Sequence, residues 1–235
     1  MSAKVIAIAQ AKGGVGKSTL CANLASTFAD VAKTLVVDCD PPQHSMNAWH
    51  DVRFEIYEET GMDLQLATKP SELLNILEKE QNNYDVILLD GPPHINAMTR
   101  TMVAIGSMIL VPLAPSPVEI WSFQEMDKLV SEAHKLNPDC QARICWTRVR
   151  TRVKSAEDLI SEVKSASHIK PFNCQLTQRV AYVDSFAEGL SVYEWPDAVA
   201  RAEVWSLHSA IQRLIKKCGT PQFGKRSKIL DFSRQ

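Results

Sequence analysis

The run Lys12-Gly13-Gly14-Val15-Gly16-Lys17-Ser18-Thr19 sets three glycines between two lysines and ends on two hydroxyls. Glycines free consecutive backbone N–H groups to converge on one anion. The amino terminus of a following helix adds its positive dipole end. In the pattern G-x-x-x-x-G-K-[ST], the lysine reaches the β- and γ-phosphates of a nucleotide and the next hydroxyl ligates Mg2+. Lys17 and Ser18 fill those two positions. Ala11 stands where the pattern has its first glycine, so the match is to a variant form, KGGVGKS.

Carboxylates follow at two further points. Asp38 and Asp40 stand in VVDCDPPQ, and Asp90 closes VILLD. A carboxylate just past a buried strand is held rigidly. Such groups hold Mg2+ directly or through water, and they orient an attacking water. Ser18 with Asp38 or Asp90 is the candidate metal side.

The elements that must position these groups can be read from the same sequence. Lys4 to Ala9 is a short β-branched run, expected as a buried parallel strand, and Leu20, Leu24 and Phe28 recur at helical spacing over Lys17 to Asp30. Thr34–Val37, Asp85–Leu89, Met108–Val111 and Ala142–Trp146 read as further strands. Ser71 reads as the cap of a helix, and Glu119 to Leu136 as a long helix ended by Asn137-Pro138. Alternating strands and helices predict one α/β domain, a mostly parallel sheet with helices on both faces. The expected boundaries are 1–217 for this domain and 218–235 for a basic, mobile tail.

Composition agrees with an ordinary globular chain: 235 residues, 45% apolar, 23% charged, formal net charge −1. That excludes a disordered chain and a disulfide miniprotein. No run approaches the ~18 apolar residues of a spanning helix, and the first residues lack the apolar core of a secretory signal. Cys21, Cys39, Cys140, Cys145, Cys174 and Cys218 form no CxxC pair and read as reduced, mostly buried thiols.

On these motifs the sequence resembles the deviant-Walker-A P-loop ATPases, the ParA/MinD group. KGGVGKS resembles the family's first motif, VVDCDPPQ its VDxDPQ motif with one extra proline, and VILLDG its Walker B strand. Pro112-Leu113-Ala114-Pro115-Ser116-Pro117 with Glu119, and Leu176-Thr177-Gln178-Arg179 with Tyr182, resemble segments of the short, ParF-like partition ATPases. The resemblance covers roughly Lys4 to Leu214. It implies a P-loop NTPase fold, ATP or ADP with Mg2+, and a nucleotide cradle of Lys12, Gly13, Gly14, Val15, Gly16, Lys17, Ser18 and Thr19. It further implies that Lys12 reaches the nucleotide of a second subunit in an ATP-bound homodimer, and that Asp40 serves hydrolysis. Ser18, Asp38 and Asp90 would manage the metal, and Thr147 and Arg148 would line the adenine pocket.

The resemblance also implies partners: nonspecific double-stranded DNA, and a small centromere-binding or adaptor protein that stimulates hydrolysis. The function expected is segregation of plasmid or chromosomal DNA, in a cytoplasmic, nucleoid-associated setting. Positioning of a protein cargo and a MinD-like membrane cycle are the alternatives, and KRSKILDF offers too few apolar residues for stable membrane association. No helix-turn-helix precedes the motifs, so DNA contact would be through phosphate. Two basic stretches could supply it. From Arg143 to Arg179, eight cations (Arg143, Arg148, Arg150, Arg152, Lys154, Lys164, Lys170, Arg179) face three acids; near the end, Lys216, Lys217, Lys225, Arg226, Lys228 and Arg234 face Asp231. Either could equally be a solvated face. Trp146, Trp195 and Trp205 read as core or interface residues rather than a stacking platform.

Overall fold

The computed structural model describes residues 2–41, 43–57, 59–219 and 226–234. Its elements in order are β1 (Lys4–Ile8), α1 (Lys17–Ala29), β2 (Thr34–Asp38), α2 (Ser45–Ile56), β3 (Asp63–Leu66), α3 (Pro70–Glu80), β4 (Val86–Asp90), α4 (Ala97–Ile105), β5 (Met108–Leu113), α5 (Pro117–Ala133), β6 (Gln141–Val149), α6 (Lys154–Ala166), β7 (Lys170–Thr177), α7 (Ala181–Ala187), α8 (Ala198–Ile215) and α9 (Arg226–Ser233). Seven strands form one sheet in the order β3-β2-β4-β1-β5-β6-β7, every pairing parallel. The α/β layering expected from the sequence is the layering found.

Burial explains why the inner strands are legible. β2, β4 and β5 are buried at every residue, as strands covered on both faces must be. Alternate residues of β1 feed two cores. Val5 and Ala7 join Leu73, Met102, Phe123 and Met126 on one face, and Ile6 and Ile8 join Leu24, Phe28, Val204 and Ile211 on the other. β1 lies between β4 and β5, where the winding order of the sheet reverses. In open parallel sheets the crevice at the carboxyl ends of strands at such a point is where ligands bind.

Several elements differ from the sequence reading. α3 starts at Pro70 with Lys69 as its cap, two residues before the expected cap Ser71, because proline's fixed φ suits the first helical position. β3 and β7 are edge strands with mixed exposure, so neither carries a continuous apolar run. Residues 226–233, expected within a mobile tail, instead form α9. Ile229 and Phe232 are buried against α4 and α3, and Arg226 Nη1 lies 2.9 Å from Glu78 Oε2. An apolar pair at i, i+3 was hidden there by basic composition. Residues 220–225 of that tail, Lys225 included, lie outside the described residues. So does Pro42, the extra proline of DPPQ.

Candidate functional site

The loop after β1 is shaped by its glycines. Gly14 has φ +72 and Gly16 φ +92, left-handed values that L side chains rarely adopt. Gly16 caps α1 with its backbone alone; among the described residues no side chain caps this helix, and no acid sits in its first turn. Its first N–H groups therefore point at the loop without a competing carboxylate. Lys17 is buried, and its Nζ donates to the Lys12 carbonyl at 3.2 Å. Burial holds its pKa below the ordinary lysine value, and Asp90 and Asp40 offset part of that.

Three strand ends bring the carboxylates to the same place. Asp38 of β2 and Ile8 of β1 are both register partners of Asp90 on β4. Asp38 is fully buried and already engaged. Its Oδ1 accepts from Asp40 N at 3.0 Å, and its Oδ2 accepts from Met46 N and Asn47 N, each at 3.1 Å. It thereby anchors the amino terminus of α2. Asp90 is equally buried, yet neither carboxylate oxygen has a hydrogen-bond partner among the described residues. Burial pushes its pKa up to about 8; the Ser18 hydroxyl, short of regular hydrogen-bonding geometry, is the largest offset.

An orphaned buried carboxylate beside a hydroxyl and a phosphate cradle fits Mg2+. That ion usually keeps several waters and takes one or two carboxylates plus phosphate oxygens. No group of three or more His, Cys, Asp or Glu able to hold a metal occurs among the described residues. Ser18 and Asp90 are the residues that fit as the metal side, and Asp38 would act through water. Asp40, mostly buried, has its pKa raised by burial, with Lys17 pulling it back.

Two pockets share the glycine loop. One, about 460 Å3, is polar and includes Gly13, Lys17, Ser18 and Asp40; the other, about 600 Å3, includes Val15, Thr147, Arg148, Leu176, Val180 and Tyr182. Gly14, Gly16 and Thr19 line both. Thr147 Oγ1 donates to the Val15 carbonyl at 3.2 Å, tying the end of β6 to the loop. Gly13, Gly14, Val15, Gly16, Lys17, Ser18 and Thr19 thus come together with Thr147 and Arg148 around the two pockets, whereas Lys12 lines neither. The pocket wall from Leu176 to Val183 was visible in the sequence only as a family-like segment, without a role. Lys12 sits 3.6 Å from Glu119 Oε1, which Arg148 Nη2 also contacts, while Glu119 Oε2 accepts from Ala114 N at 3.0 Å. Nothing in the spacing of the sequence announced Glu119 as the partner of Lys12.

The basic stretch from Arg143 to Arg179 is not one patch. Arg143 pairs in register with Lys170 at the amino end of β6, while Arg148 stands at its carboxyl end and Arg150, Arg152 and Lys154 follow in the chain. Arg179 is tied to Asp197 at 3.1 Å. Arg143 instead joins Lys217 of the second stretch, and Arg213 outside both stretches, in a groove of about 710 Å3 with Phe172 and Trp205. Trp146 is core and Trp195 packs against core, as expected, but Trp205 is 46% exposed and stacks on His208. All six cysteines are free thiols, five buried and Cys174 half-buried.

Comparison with known proteins agrees with this geometry. Residues 6–192 match the family model described as the CobQ/CobB/MinD/ParA nucleotide binding domain. The chain is 24% identical over 190 residues to the maintenance of carboxysome distribution protein A of Halothiobacillus neapolitanus, covering 80% of this chain and 86% of that one. It is 23% identical over 243 residues to the sporulation initiation inhibitor protein Soj of Bacillus subtilis, covering 86% and 95%. Its fold matches the structure of cobyrinic acid a,c-diamide synthase from Mycobacterium smegmatis with bound ATP analog and magnesium, with TM-score 0.74, 18% identity, and 93% and 98% coverage. The family model spans the P-loop, all three aspartates and the pocket wall, and the chain belongs to the CobQ/CobB/MinD/ParA nucleotide-binding family.

Proposed function

We propose that this chain is a Mg2+-dependent ATPase that works as a positioning switch. The observation that carries the reading is one glycine loop shared by a polar pocket holding Lys17, Ser18 and Asp40 and a larger pocket walled by apolar side chains. The first suits phosphates and the second a flat base. Lys17 and the first N–H groups of α1 would hold the β- and γ-phosphates, and Mg2+, when bound, would supply charge neutralisation there. Asp40 would orient the attacking water, its burial making it a better proton acceptor than an exposed aspartate.

A homodimer formed on ATP is supported by where exposed apolar residues lie. Val118 and Trp121 open α5, Val153 and Val180 cap α6 and α7, and Val183 follows. Each stands just after a strand of the parallel sheet, on the same edge as the glycine loop. Lys12, 37% exposed on that edge, would then reach a second copy's nucleotide.

The ATP dimer would grip nonspecific duplex DNA. Support comes from the groove of Arg143, Arg213 and Lys217, which no carboxylate lines and whose cations have no acidic partner among the described residues. An adaptor protein would stimulate hydrolysis and release the DNA. The cargo in the first reading is plasmid or chromosomal DNA, favoured by a relative named chromosome partitioning protein ParA. The second reading is a protein body, favoured by the relative named for carboxysome distribution. Purified chain with ATP and Mg2+ should dimerise, be retained on plain duplex DNA at low salt and release it as ATP is consumed. Absence of ATP-dependent retention contradicts the DNA reading and leaves a protein scaffold as the matrix.

A further inference from the structure

We infer that Glu203, on α8, is a positioning residue that sets the base pocket and so determines which nucleotide the chain takes. The inference rests on the nucleotide reading above. The pocket wall crosses from the end of β7 to the start of α7. β7 is an edge strand, so among the described residues no further strand holds this end of the sheet. Two carboxylates of α8 do so instead: Asp197 at its cap holds Arg179, and Glu203 holds the rest. Thr177 Oγ1 donates to Glu203 Oε1 at 2.6 Å, Thr177 N donates to Oε2 at 3.0 Å, and Tyr182 Oη donates to Oε2 at 2.8 Å. Arg179 Nε lies 3.9 Å from Oε1 and donates to Thr177 Oγ1 at 3.0 Å. The Glu203 side chain is only 13% exposed.

The consequence for the pocket is chemical. Thr177, Arg179 and Tyr182 all line it, yet their polar groups are turned into the network behind the wall. The Tyr182 hydroxyl donates its hydrogen bond to Glu203, and burial with that carboxylate pushes its pKa well above the ordinary value. Thr147 is likewise spent on the Val15 carbonyl. What these groups leave to the ligand is an apolar slot formed by Leu176, Val180 and Val183. Such a slot favours the base whose edge loses least on leaving water, adenine over the more polar guanine, and its selectivity depends on the wall being held in one place. Glu203 touches neither the glycine loop nor the polar pocket, so its effect should be confined to the base end.

The test separates the two ends of the ligand. Glu203→Gln keeps the shape but puts a donor where the wall offers three donors. Tyr182→Phe keeps the ring and removes one donor. Measure the affinities of ATP, GTP and inorganic tripolyphosphate by calorimetry for the wild type and both variants. Glu203→Gln should bind ATP about tenfold more weakly, with a narrower ATP-over-GTP preference and tripolyphosphate affinity within about twofold of wild type. Tyr182→Phe should shift in the same direction by a few-fold, and it carries the test if Glu203→Gln fails to fold. Variants that bind ATP like wild type, or lose ATP and tripolyphosphate equally, overturn the inference. A wild type that binds tripolyphosphate and ATP with equal affinity overturns it too. A wild type that binds neither overturns the nucleotide reading itself.

Discussion

The Lys12 ammonium and the Glu119 carboxylate, 3.6 Å apart, form an ion pair in which only the acid is buried. Glu119 keeps Arg148 and Ala114 N as partners whether or not Lys12 stays. A half-exposed lysine leaves such a pair at a cost of ~1 kcal/mol or less. The weakness of this pair would leave Lys12 free to reach the nucleotide of a second copy in the proposed dimer. Lys12→Ala should weaken ATP-dependent dimerisation and hydrolysis by about tenfold or more while monomer affinity for ATP changes little. Sedimentation with ATP measures the first, and a fully dimeric, active variant refutes the cross-subunit role.

Lys17→Ala should abolish ATP binding. It deletes the buried cation that lies between the loop carbonyl of Lys12 and the Asp40 and Asp90 carboxylates. Calorimetry should show a loss of at least about a hundredfold, the scale for a charged group removed from a phosphate site. Near-normal affinity would sink the cradle assignment.

Arg213→Glu with Lys217→Glu should cut retention of the ATP dimer on plain duplex DNA by about tenfold or more and flatten its salt dependence, since each lost phosphate contact releases fewer counterions. Filter binding at two salt concentrations measures both. If charge reversal at Arg150 and Arg152 has this effect instead, the contact lies at the carboxyl end of β6.

His208 supplies a pH dependence. It is buried between Phe28 and Trp205, with Nδ1 2.9 Å from Thr27 Oγ1. Burial lowers its pKa below 6.5, and Asp30 and Gln212 offset part of that. The unfolded chain then binds a proton that the folded chain refuses, so this group's contribution is whole above pH 6.5 and is lost as pH falls toward the folded pKa. Thermal melts of wild type should lose stability more steeply below about pH 6.5 than those of His208→Phe. Parallel curves would show that His208 does not carry the acid limb.

The glycine loop and the inner strands were legible because each is a contiguous segment whose residue types state their own requirement. KGGVGKS needs left-handed glycines, and a run such as VILLD is tolerated only where both faces are covered. What was not legible depends on the fold. Glu119 meets Lys12 only after β5 and β1 pair, and Glu203 meets Thr177 only when α8 packs on β7. Arg143 and Arg148 are near in sequence, but a strand carries them roughly 17 Å apart at ~3.3 Å per residue. Asp38 and Asp90 looked equivalent as metal candidates. The structure separates them because one carboxylate caps α2 and the other has no partner among the described residues.

In the proposed cycle, hydrolysis positioned by Asp40 would end the DNA-bound ATP state. The most direct measurement is the steady-state ATPase rate of Asp40→Ala, taken together with its ATP affinity and its retention on DNA. Asp40 lines the phosphate pocket but leaves Lys17 and the glycine loop intact. Hydrolysis should fall by at least about a hundredfold, ATP affinity should stay within a few-fold of wild type, and the variant should accumulate as a DNA-bound dimer. An Asp40→Ala chain that hydrolyses ATP at the wild-type rate would contradict the account.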